Sequence, residues 1–320
     1  MSEPAFDYDS LVAAFGDSVK RNMSDGLLLS GGLDTTLIAY LMVKWGKPYC
    51  VTVALRGAPA PDIPFAKQIA ASLGLEHELH YFGGEELDEA IRDVIRVLKV
   101  FDPMEVRNST AAYIALKQAK KHRLASVMTG DGGDELFAGY SFLFKHTPAQ
   151  LDKALKKMWS KMTFSSIPMG QDLGVEVRPP FLDPVFKAFA EKIDVRLKVR
   201  EEHGQTFGKW VLRRAFEKMI PSELLWRVKA PLEVGTGTTT LPTHFDARIP
   251  DAEFSTKKSR YLAQDKVTIR DKEQLFYYEI YRGLYGAPKT ATAGAKKCPD
   301  CGTGVAQDVN FCRTCGAYPV

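Results

Sequence analysis

The stretch GLLLSGGLDTTLIAYL at 26–41 places two glycines and an aspartate between an apolar run and a segment whose apolar residues have helical spacing. The run predicts a short buried strand, and the segment from Asp34 predicts a helix that ends at Gly46. Glycines directly after a strand let the backbone approach a ligand closely, and the start of the helix presents free N–H groups to it. This turn therefore suits a phosphate or pyrophosphate. The alternative is a simple helix N-cap after a tight turn.

The aspartate in this turn indicates a metal ion. A carboxylate there would repel a phosphate unless a divalent cation lay between them, so Asp34 predicts Mg²⁺. Ser30 adds a hydroxyl donor to the same turn. Because the spacing matches neither the Walker A loop nor the G-x-G-x-x-G loop, the turn is predicted to hold magnesium and pyrophosphate in another way.

Strand-like and helix-like stretches alternate over the first half of the chain. Further strands are expected at 49–55, 75–82 and 124–130, and further helices at 61–74, 85–99 and 108–122. Such alternation predicts an α/β fold with a parallel sheet and helices on both faces, in which ligands bind beyond the carboxyl ends of the strands.

The second half is predicted to be helical. Helices are expected at 149–162, 183–193 and 204–220. Two irregular segments, 176–183 and 226–238, are predicted to be loops that return to the edge of the sheet.

The composition is that of a globular chain without a membrane segment. The 320 residues carry a net charge of +4 and are 45% hydrophobic, so charge alone indicates neither a nucleic-acid nor a membrane partner. No run of eighteen apolar residues occurs, and the first ten residues are acidic and polar, unlike a signal peptide. A cytoplasmic location is therefore expected.

Four of the five cysteines form the pattern C-x2-C-x10-C-x2-C, at Cys298, Cys301, Cys312 and Cys315. Two C-x2-C turns supply four thiolates for a tetrahedral Zn²⁺ site, which would be structural because the protein fills every position. The alternative is a pair of disulfides, which an intracellular setting disfavours. A linker at 286–297 is predicted to join this zinc ribbon, 298–320, to a single domain at 1–285.

A second glycine-rich stretch, TGDGGDELFAGY at 129–140, also follows a predicted strand. It holds Asp131, Asp134 and Glu135, which is more carboxylate than a solvent-exposed turn needs. Because both stretches fall at the same edge of the predicted sheet, Asp34 and Asp134 are expected to share one magnesium ion. Asp131 is then left near the reacting centre.

Four motifs in order along the chain carry a family resemblance. LLSGGLDTT at 28–36 resembles the S-G-G-x-D-[ST] pyrophosphate loop of the ATP-pyrophosphatase (PP-loop) superfamily. TGDGGDELFAGY is similar to the second motif of the asparagine synthetase family. EVRPPFLDPVFKAFA at 176–190 and the stretch 207–237, which begins FGKWVLRRAF, resemble that family's E-V-R-x-P-F-L-D and K-x-x-L-R-x-A-F segments. The resemblance covers about 25–285 and implies the PP-loop, HUP-like fold.

The resemblance implies a reaction in two steps. A carboxylate, of aspartate or a related compound, attacks the α-phosphorus of ATP to give an acyl-adenylate and pyrophosphate, and ammonia then displaces AMP. The match implies an ATP and pyrophosphate site formed by Leu28, Ser30, Gly31, Gly32, Asp34, Thr35, Val53 and Gly130. Within this site Asp34 and Asp134 would hold Mg²⁺, while Leu28 and Val53 would contact adenine.

Three further side chains are implied as catalytic. Lys229 matches the family's lysine that neutralises charge at the α-phosphate, and Arg107 matches an arginine that pairs with phosphate or carboxylate. Without the motif match, surface charge would be the simpler interpretation of both. Asp131 stands where many asparagine synthetases have a glutamate that accepts a proton as ammonia attacks, and its side chain is shorter.

Two departures from the family pattern bear on function. Bacterial and eukaryotic asparagine synthetases begin with a glutaminase domain whose nucleophile is the cysteine after the initiator methionine, whereas Ser2 follows Met1 here. Nitrogen is therefore expected as free ammonia, from a separate glutaminase or from an amine substrate. The zinc ribbon is the other departure, because the family pattern does not contain one.

Two other functions stay open on the sequence. A PP-loop enzyme that adenylates an RNA base is one, because such tRNA-modifying enzymes often carry zinc modules and lysines recur at helical spacing in 153–161. A solvent-exposed helix face explains those lysines equally well. A nucleotide-binding regulatory protein without turnover is the other, and the intact set Asp34, Asp131, Asp134 and Lys229 argues against it. A small carboxylate and ammonia are therefore the favoured substrates, with tRNA not favoured.

Overall fold

The computed structural model describes residues 5–228, 231–292 and 295–320. Two compact units can be distinguished within these ranges. The first is drawn from Met1–Thr52, Pro61–His80 and Leu116–Pro231, and the second from Val53–Ala60, Tyr81–Ala115 and Leu232–Val320. None of the helices in the described ranges combines the length and the apolar character that crossing a bilayer requires.

Five strands form the main sheet, and two more form a hairpin. The strands are β1 (Gly26–Leu28), β2 (Tyr49–Leu55), β3 (His77–Phe82), β4 (Ser126–Met128), β5 (Glu176–Arg178), β6 (Val199–Glu202) and β7 (Gln205–Gly208). The order in the main sheet is β3-β2-β1-β4-β5, with β1 parallel to β2 and β4, and β4 parallel to β5. The predicted α/β fold is confirmed.

The helices separate the strands of the first half and dominate the second half. They are α1 (Tyr8–Arg21), α2 (Leu33–Met42), α3 (Ile63–Leu73), α4 (Glu85–Leu98), α5 (Pro103–Lys121), α6 (Gly133–Leu136), α7 (Pro148–Trp159), α8 (Ser166–Leu173), α9 (Pro184–Glu191), α10 (Trp210–Ala215), α11 (Ser222–Leu225), α12 (Leu232–Gly235), α13 (Leu241–Arg248), α14 (Asp251–Asp265) and α15 (Lys272–Tyr285). Helix α5 begins five residues earlier than the sequence predicted, because Pro103 suits a first helical position and the Asp102 carboxylate accepts from the N–H of Met104 at 3.1 Å.

One prediction for the second half is wrong. The expected helix at 204–220 is instead strand β7 followed by the six-residue helix α10. His203 and Gly204 both have positive φ, 52° and 75°, and make the tight turn of a β6–β7 hairpin. Lys209, with φ 55°, then separates the hairpin from α10.

The segment 176–183 is more regular than the predicted loop. Its first three residues form β5, which pairs with β4 in the register Val127↔Val177. Within the described part of the segment 226–238, the one regular element is the one-turn helix α12, and a 3₁₀ turn at Thr238–Thr240 overlaps the end of the segment. Residues 229–230 lie outside the described residues.

The core of the first unit forms where α1, α2 and β1 pack together. Leu27 of β1 and Leu37 of α2 are fully buried. Phe15 of α1 packs against Phe181 and Phe186, with ring centroids 4.3 and 4.7 Å apart. Because α2 is buried along most of its length, its first turn is held firmly at the carboxyl end of β1.

The second unit packs α15 against α4, α13 and α14. Phe101, just before α5, lies against Tyr278 and Tyr281 of α15, with ring centroids 5.0 and 5.1 Å apart. The four-cysteine segment at the end of the chain belongs to this unit as well. The division at 285 and 298 into domain, linker and ribbon stays a prediction.

Candidate functional site

The two glycine-rich loops meet at one edge of the sheet. Since β1 and β4 are parallel neighbours, with Leu27 opposite Met128, the loops that follow them lie side by side. A methyl group on Gly133 would lie 2.5 Å from Oδ1 of Asp34, and one on Gly130 would lie 2.9 Å from its Cβ. The absence of side chains at these glycines therefore lets the second loop close onto Asp34.

The first loop has a backbone that only glycine adopts readily. Gly31 has φ +76°, and a methyl group there would lie 2.6 Å from the carbonyl oxygen of Asp62 and 2.8 Å from the nitrogen of Ala66. Ser30 Oγ accepts from the N–H of Gly32 at 3.2 Å and lies 3.1 Å from Thr35 Oγ1. The loop thus brings hydroxyls and the start of α2 together, an arrangement suited to an anion.

A lysine that the sequence argument did not single out lies between the two aspartates. Lys209 Nζ is 2.5 Å from Oδ2 of Asp34 and 2.8 Å from Oδ1 of Asp134, and the lysine side chain is only 3% exposed. The signal was present in the sequence, because Lys209 is the first residue of the segment that resembles K-x-x-L-R-x-A-F. The two carboxylates therefore lie close together around one ammonium group.

Burial and charge act in opposite directions on Lys209. Burial by itself would lower the pKa of Lys209, but the charges of Asp134 and Asp34 and their hydrogen bonds outweigh it and raise that pKa. Lys209 is therefore a permanent cation at this site. The group of one ammonium and two carboxylates carries a net charge of −1, which suits a further cation.

Asp131 is held by two hydroxyl donors. Thr129 Oγ1 donates to its Oδ2 at 2.7 Å, and Ser166 Oγ, at the start of α8, donates to the same oxygen at 2.5 Å. Burial raises the pKa of Asp131, and the two hydroxyls counteract that rise only in part. A carboxyl group with a raised pKa is a candidate proton acceptor and donor. No motif in the sequence indicated Ser166.

The segment that follows the second loop contains further polar groups that are half-buried or buried. Tyr140 donates to Oε1 of Glu135 at 2.5 Å, and burial raises the pKa of Glu135. Lys198 Nζ, completely buried, donates to the carbonyl oxygens of Leu136 and Ala190, each at 2.9 Å. These bonds fix the backbone just after Asp134.

Of the remaining predicted residues, Leu28 is half-buried at the end of β1 and Val53 is buried in β2. Arg107 belongs to the second unit, where its Nε lies 3.1 Å from Oε1 of Glu273. Burial raises the pKa of Glu273 to about 7, against the opposing charge of Arg107. Lys229 lies outside the described residues. The roles assigned to these residues stay predictions.

The four cysteines of the terminal segment form one buried cluster, whose sulfur atoms all lie within 4.8 Å of one another. The Sγ atoms of Cys298 and Cys315 are 3.5 Å apart, and those of Cys301 and Cys312 are 3.7 Å apart. These distances exceed a disulfide bond of about 2.05 Å. Four sulfurs at about 2.3 Å from a tetrahedral zinc ion would lie roughly 3.8 Å apart, so the cluster has zinc-site dimensions.

Comparisons with known proteins agree with the motifs. A family model with the description Asparagine synthase matches residues 10–168 and 168–297. Over 324 positions the chain is 31% identical to asparagine synthetase B (glutamine-hydrolyzing) of Escherichia coli (strain K12), covering 89% of this chain and 57% of the relative. It is 30% identical over 302 positions to a probable asparagine synthetase (glutamine-hydrolyzing) of Dictyostelium discoideum, covering 83% and 53%. The chain thus spans little more than half the length of these relatives.

Solved structures offer a more distant likeness. The chain is similar to an NH3-dependent NAD synthetase from Campylobacter jejuni subsp. jejuni, with a TM-score of 0.36 and 13% identity, covering 81% of this chain and 95% of that one.

Proposed function

The chain belongs to the asparagine synthase family, and on that premise we propose that it is an ATP-dependent ligase that joins ammonia to aspartate or a related small carboxylate. The reaction forms AMP and pyrophosphate in two steps, adenylation of the carboxylate and its capture by ammonia. The observation that carries the proposal is the meeting of two glycine loops around Asp34, Lys209 and Asp134, with Asp131 beside them.

The first loop is the proposed seat of the pyrophosphate. Ser30, Gly31 and Gly32 offer hydroxyl and N–H groups there, and the first turn of α2 adds the positive end of its dipole. Thr35 supports Ser30 through the 3.1 Å contact between their hydroxyls. Lys209 adds a positive charge that persists through the neutral pH range. These groups stabilise the negative charge that builds up on the leaving pyrophosphate.

The residues present fit a magnesium ion. Asp34 and Asp134 supply hard oxygen donors, and one ammonium group contacts both, so a second cation can reach both carboxylates. Asp34 and Asp134 would hold Mg²⁺, which supplies charge neutralisation on phosphate oxygens when bound. Without Mg²⁺, Lys209 keeps the carboxylates of Asp34 and Asp134 together.

Asp131 is the proposed proton acceptor for the second step. Ammonia must lose one proton as its nitrogen bonds to the activated carbonyl and AMP leaves, and a carboxylate with a raised pKa accepts a proton nearer to neutral pH than an ordinary one. Ser166 and Thr129 hold Oδ2, which directs the other oxygen of Asp131 to the proton. Arg107 and Lys229 are proposed, from the family match, to bind carboxylate or phosphate.

The cysteine cluster is proposed to hold one structural Zn²⁺. All four ligand positions are filled by buried thiol groups, which leaves no open position for a substrate. Metal analysis of the purified full chain should give about one zinc per chain.

The deciding experiment supplies ATP, Mg²⁺, ammonium and aspartate, and measures AMP, pyrophosphate and asparagine together. Equal amounts of the three products, lost in Asp34→Asn and kept in the exposed-residue control Asp9→Asn, would support the proposal. AMP release that does not depend on any added carboxylate would contradict the proposed function. Repeating the assay with other small carboxylates, with tRNA, and with a glutaminase plus glutamine then separates the acceptors and nitrogen sources.

A further inference from the structure

The second cysteine turn of the ribbon, Cys312–Cys315, contacts two other segments of the second unit. The carbonyl oxygen of Cys315 accepts from Arg270 Nη2 at 2.6 Å and from Gln274 Nε2 at 2.9 Å. The carbonyl oxygen of Thr314 accepts from the N–H of Phe101 at 2.7 Å. The turn is therefore hydrogen-bonded both to the chain just before α5 and to the chain around the start of α15.

These two helix starts carry the ion pair of Arg107. Arg107 lies in the second turn of α5, and Glu273 lies next to Gln274 in the first turn of α15. Arg107 Nε is 3.1 Å from Oε1 of Glu273, and Tyr277 donates to the same oxygen at 2.9 Å. Because Glu273 is 2% exposed, its position is set by the placement of α15, and through the ion pair it sets the position of Arg107.

The contact between the turn and the helix starts is close and specific. Gln274 is completely buried, and its Oε1 accepts from the N–H of Arg270 at 2.8 Å while its Nε2 binds Cys315. Gly316 has φ +78°, and a methyl group there would collide with the carboxylate of Asp102. That carboxylate in turn accepts from the N–H of Met104, in the first turn of α5.

Two backbone hydrogen bonds maintain the conformation of the cysteine turn 312–315. The N–H of Gly316 donates to Cys312 at 2.8 Å, and the N–H of Cys312 donates to Ala317 at 3.0 Å. Four sulfurs within 4.8 Å of one another would be cross-linked by one bound ion, which would hold those bonds in place, whereas without the ion nothing joins the four side chains. The positions of the carbonyls of Thr314 and Cys315 therefore depend on the metal.

We propose that metal bound by the four cysteines positions Arg107, by fixing the starts of α5 and α15 through the carbonyl groups of Thr314 and Cys315. Gln274 is the positioning residue: its hydrogen bond to Cys315 ties the metal site to the start of α15, which places Glu273 and hence Arg107. The catalytic consequence rests on the proposed function, whereas the structural link does not.

The test uses the full chain and the substitution Gln274→Met, which keeps the length of the side chain but removes both hydrogen bonds. The matched control is Lys296→Met, because Lys296 Nζ also donates to a ribbon carbonyl, that of Val309 at 2.7 Å, but contacts neither helix start in the described structure. Zinc content, amide hydrogen exchange, and kcat and KM for AMP release are measured for each.

The expected result for Gln274→Met is an unchanged zinc content, faster hydrogen exchange at both 101–109 and 270–277, and kcat/KM lowered about tenfold. Lys296→Met should change neither the exchange at 101–109 and 270–277 nor kcat/KM. In an Arg107→Lys background, Gln274→Met should lower kcat/KM by less than about twofold further, since both substitutions then act through the same side chain. Equal effects in the two backgrounds would mean that Gln274 does not act through Arg107, and would overturn the proposal.

Removing zinc with a chelator and adding it back provides the second measurement. Removal of Zn²⁺ should speed amide hydrogen exchange at 101–109, at 270–277 and within the ribbon at 298–320. Return of Zn²⁺ should slow exchange again in all three segments. A rise confined to 298–320 would overturn the structural link. If even the unaltered chain releases no AMP, the proposed function fails, while the exchange result still decides the link.

Discussion

Lys209 and Asp34 are 175 positions apart in the sequence, yet Nζ of the lysine lies 2.5 Å from Oδ2 of the aspartate. The same ammonium group lies 2.8 Å from Oδ1 of Asp134, so it joins the loop after β1 to the loop after β4. The lysine is only 3% exposed, which makes this bridge a feature of the interior rather than a surface ion pair.

Removal of the bridging charge should destabilise the protein. In Lys209→Met, two neighbouring carboxylates lose their shared counter-charge, and we expect about 3 kcal/mol to be lost from the free energy of unfolding in urea. Added Mg²⁺ should restore more stability to this variant than to the unaltered chain if Asp34 and Asp134 form a metal site. The double variant with Asp34→Asn should respond less to Mg²⁺. If Mg²⁺ stabilised Lys209→Met no more than the unaltered chain, that result would argue against the shared metal site.

Gly133 should be intolerant of a side chain. The methyl group in Gly133→Ala would lie 2.5 Å from Oδ1 of Asp34, so the Asp34 carboxylate or the second loop must move, and we expect AMP release to fall about 100-fold. Gly283→Ala in α15 is the matched control, because a methyl group there meets no atom within 4 Å. It should raise the free energy of unfolding by about 0.5–1 kcal/mol and leave activity unchanged. Equal activity in the two variants would contradict the proposed meeting of the loops.

The pH dependence of the reaction should report on Asp131. The hydroxyl of Ser166 lowers the pKa of this buried carboxyl group, so Ser166→Ala should raise it further. A proton acceptor must be deprotonated, and the acidic limb of kcat/KM against pH should therefore move to higher pH. Ser160→Ala serves as the control, since Ser160 Oγ donates to the nearby carbonyl of Lys157 and, among the described residues, does not contact Asp131. An acidic limb that stays in place, or moves to lower pH, would rule out Asp131 as that group.

Lys198 should make stability depend on pH. Burial lowers its pKa from the ordinary 10.5 to about 7, with Glu191 and Asp152 acting in the opposite direction. Between these values the unfolded chain binds more protons, so stability rises as pH increases and is lost as pH falls towards 7. From pH 7.5 to 9.5 the unaltered chain should gain about 2 kcal/mol relative to Lys198→Met, as measured by urea unfolding. Parallel pH profiles for the two chains would show that folding does not lower the pKa of Lys198.

Several features of the fold follow from patterns within a few residues of one another. The apolar run before Ser30 and the helical spacing after Asp34 predicted β1, its glycine turn and α2. The spacing of the four cysteines predicted a cluster that the structure does contain. The hairpin of β6 and β7 was missed, because its turn is made by His203 and Gly204 rather than by the Asn-Gly or Asp-Gly pair that is typical of such turns.

The sequence by itself determined the parallel α/β fold, the two glycine loops and the cysteine cluster, since periodicity and turn chemistry act over short distances along the chain. Only the tertiary structure decided that Lys209 lies between Asp34 and Asp134, that Ser166 holds Asp131, and that Gln274 joins the ribbon to α15. These partners are far apart in sequence, and their distances, burial and pKa values depend on how the elements pack, which no local pattern encodes.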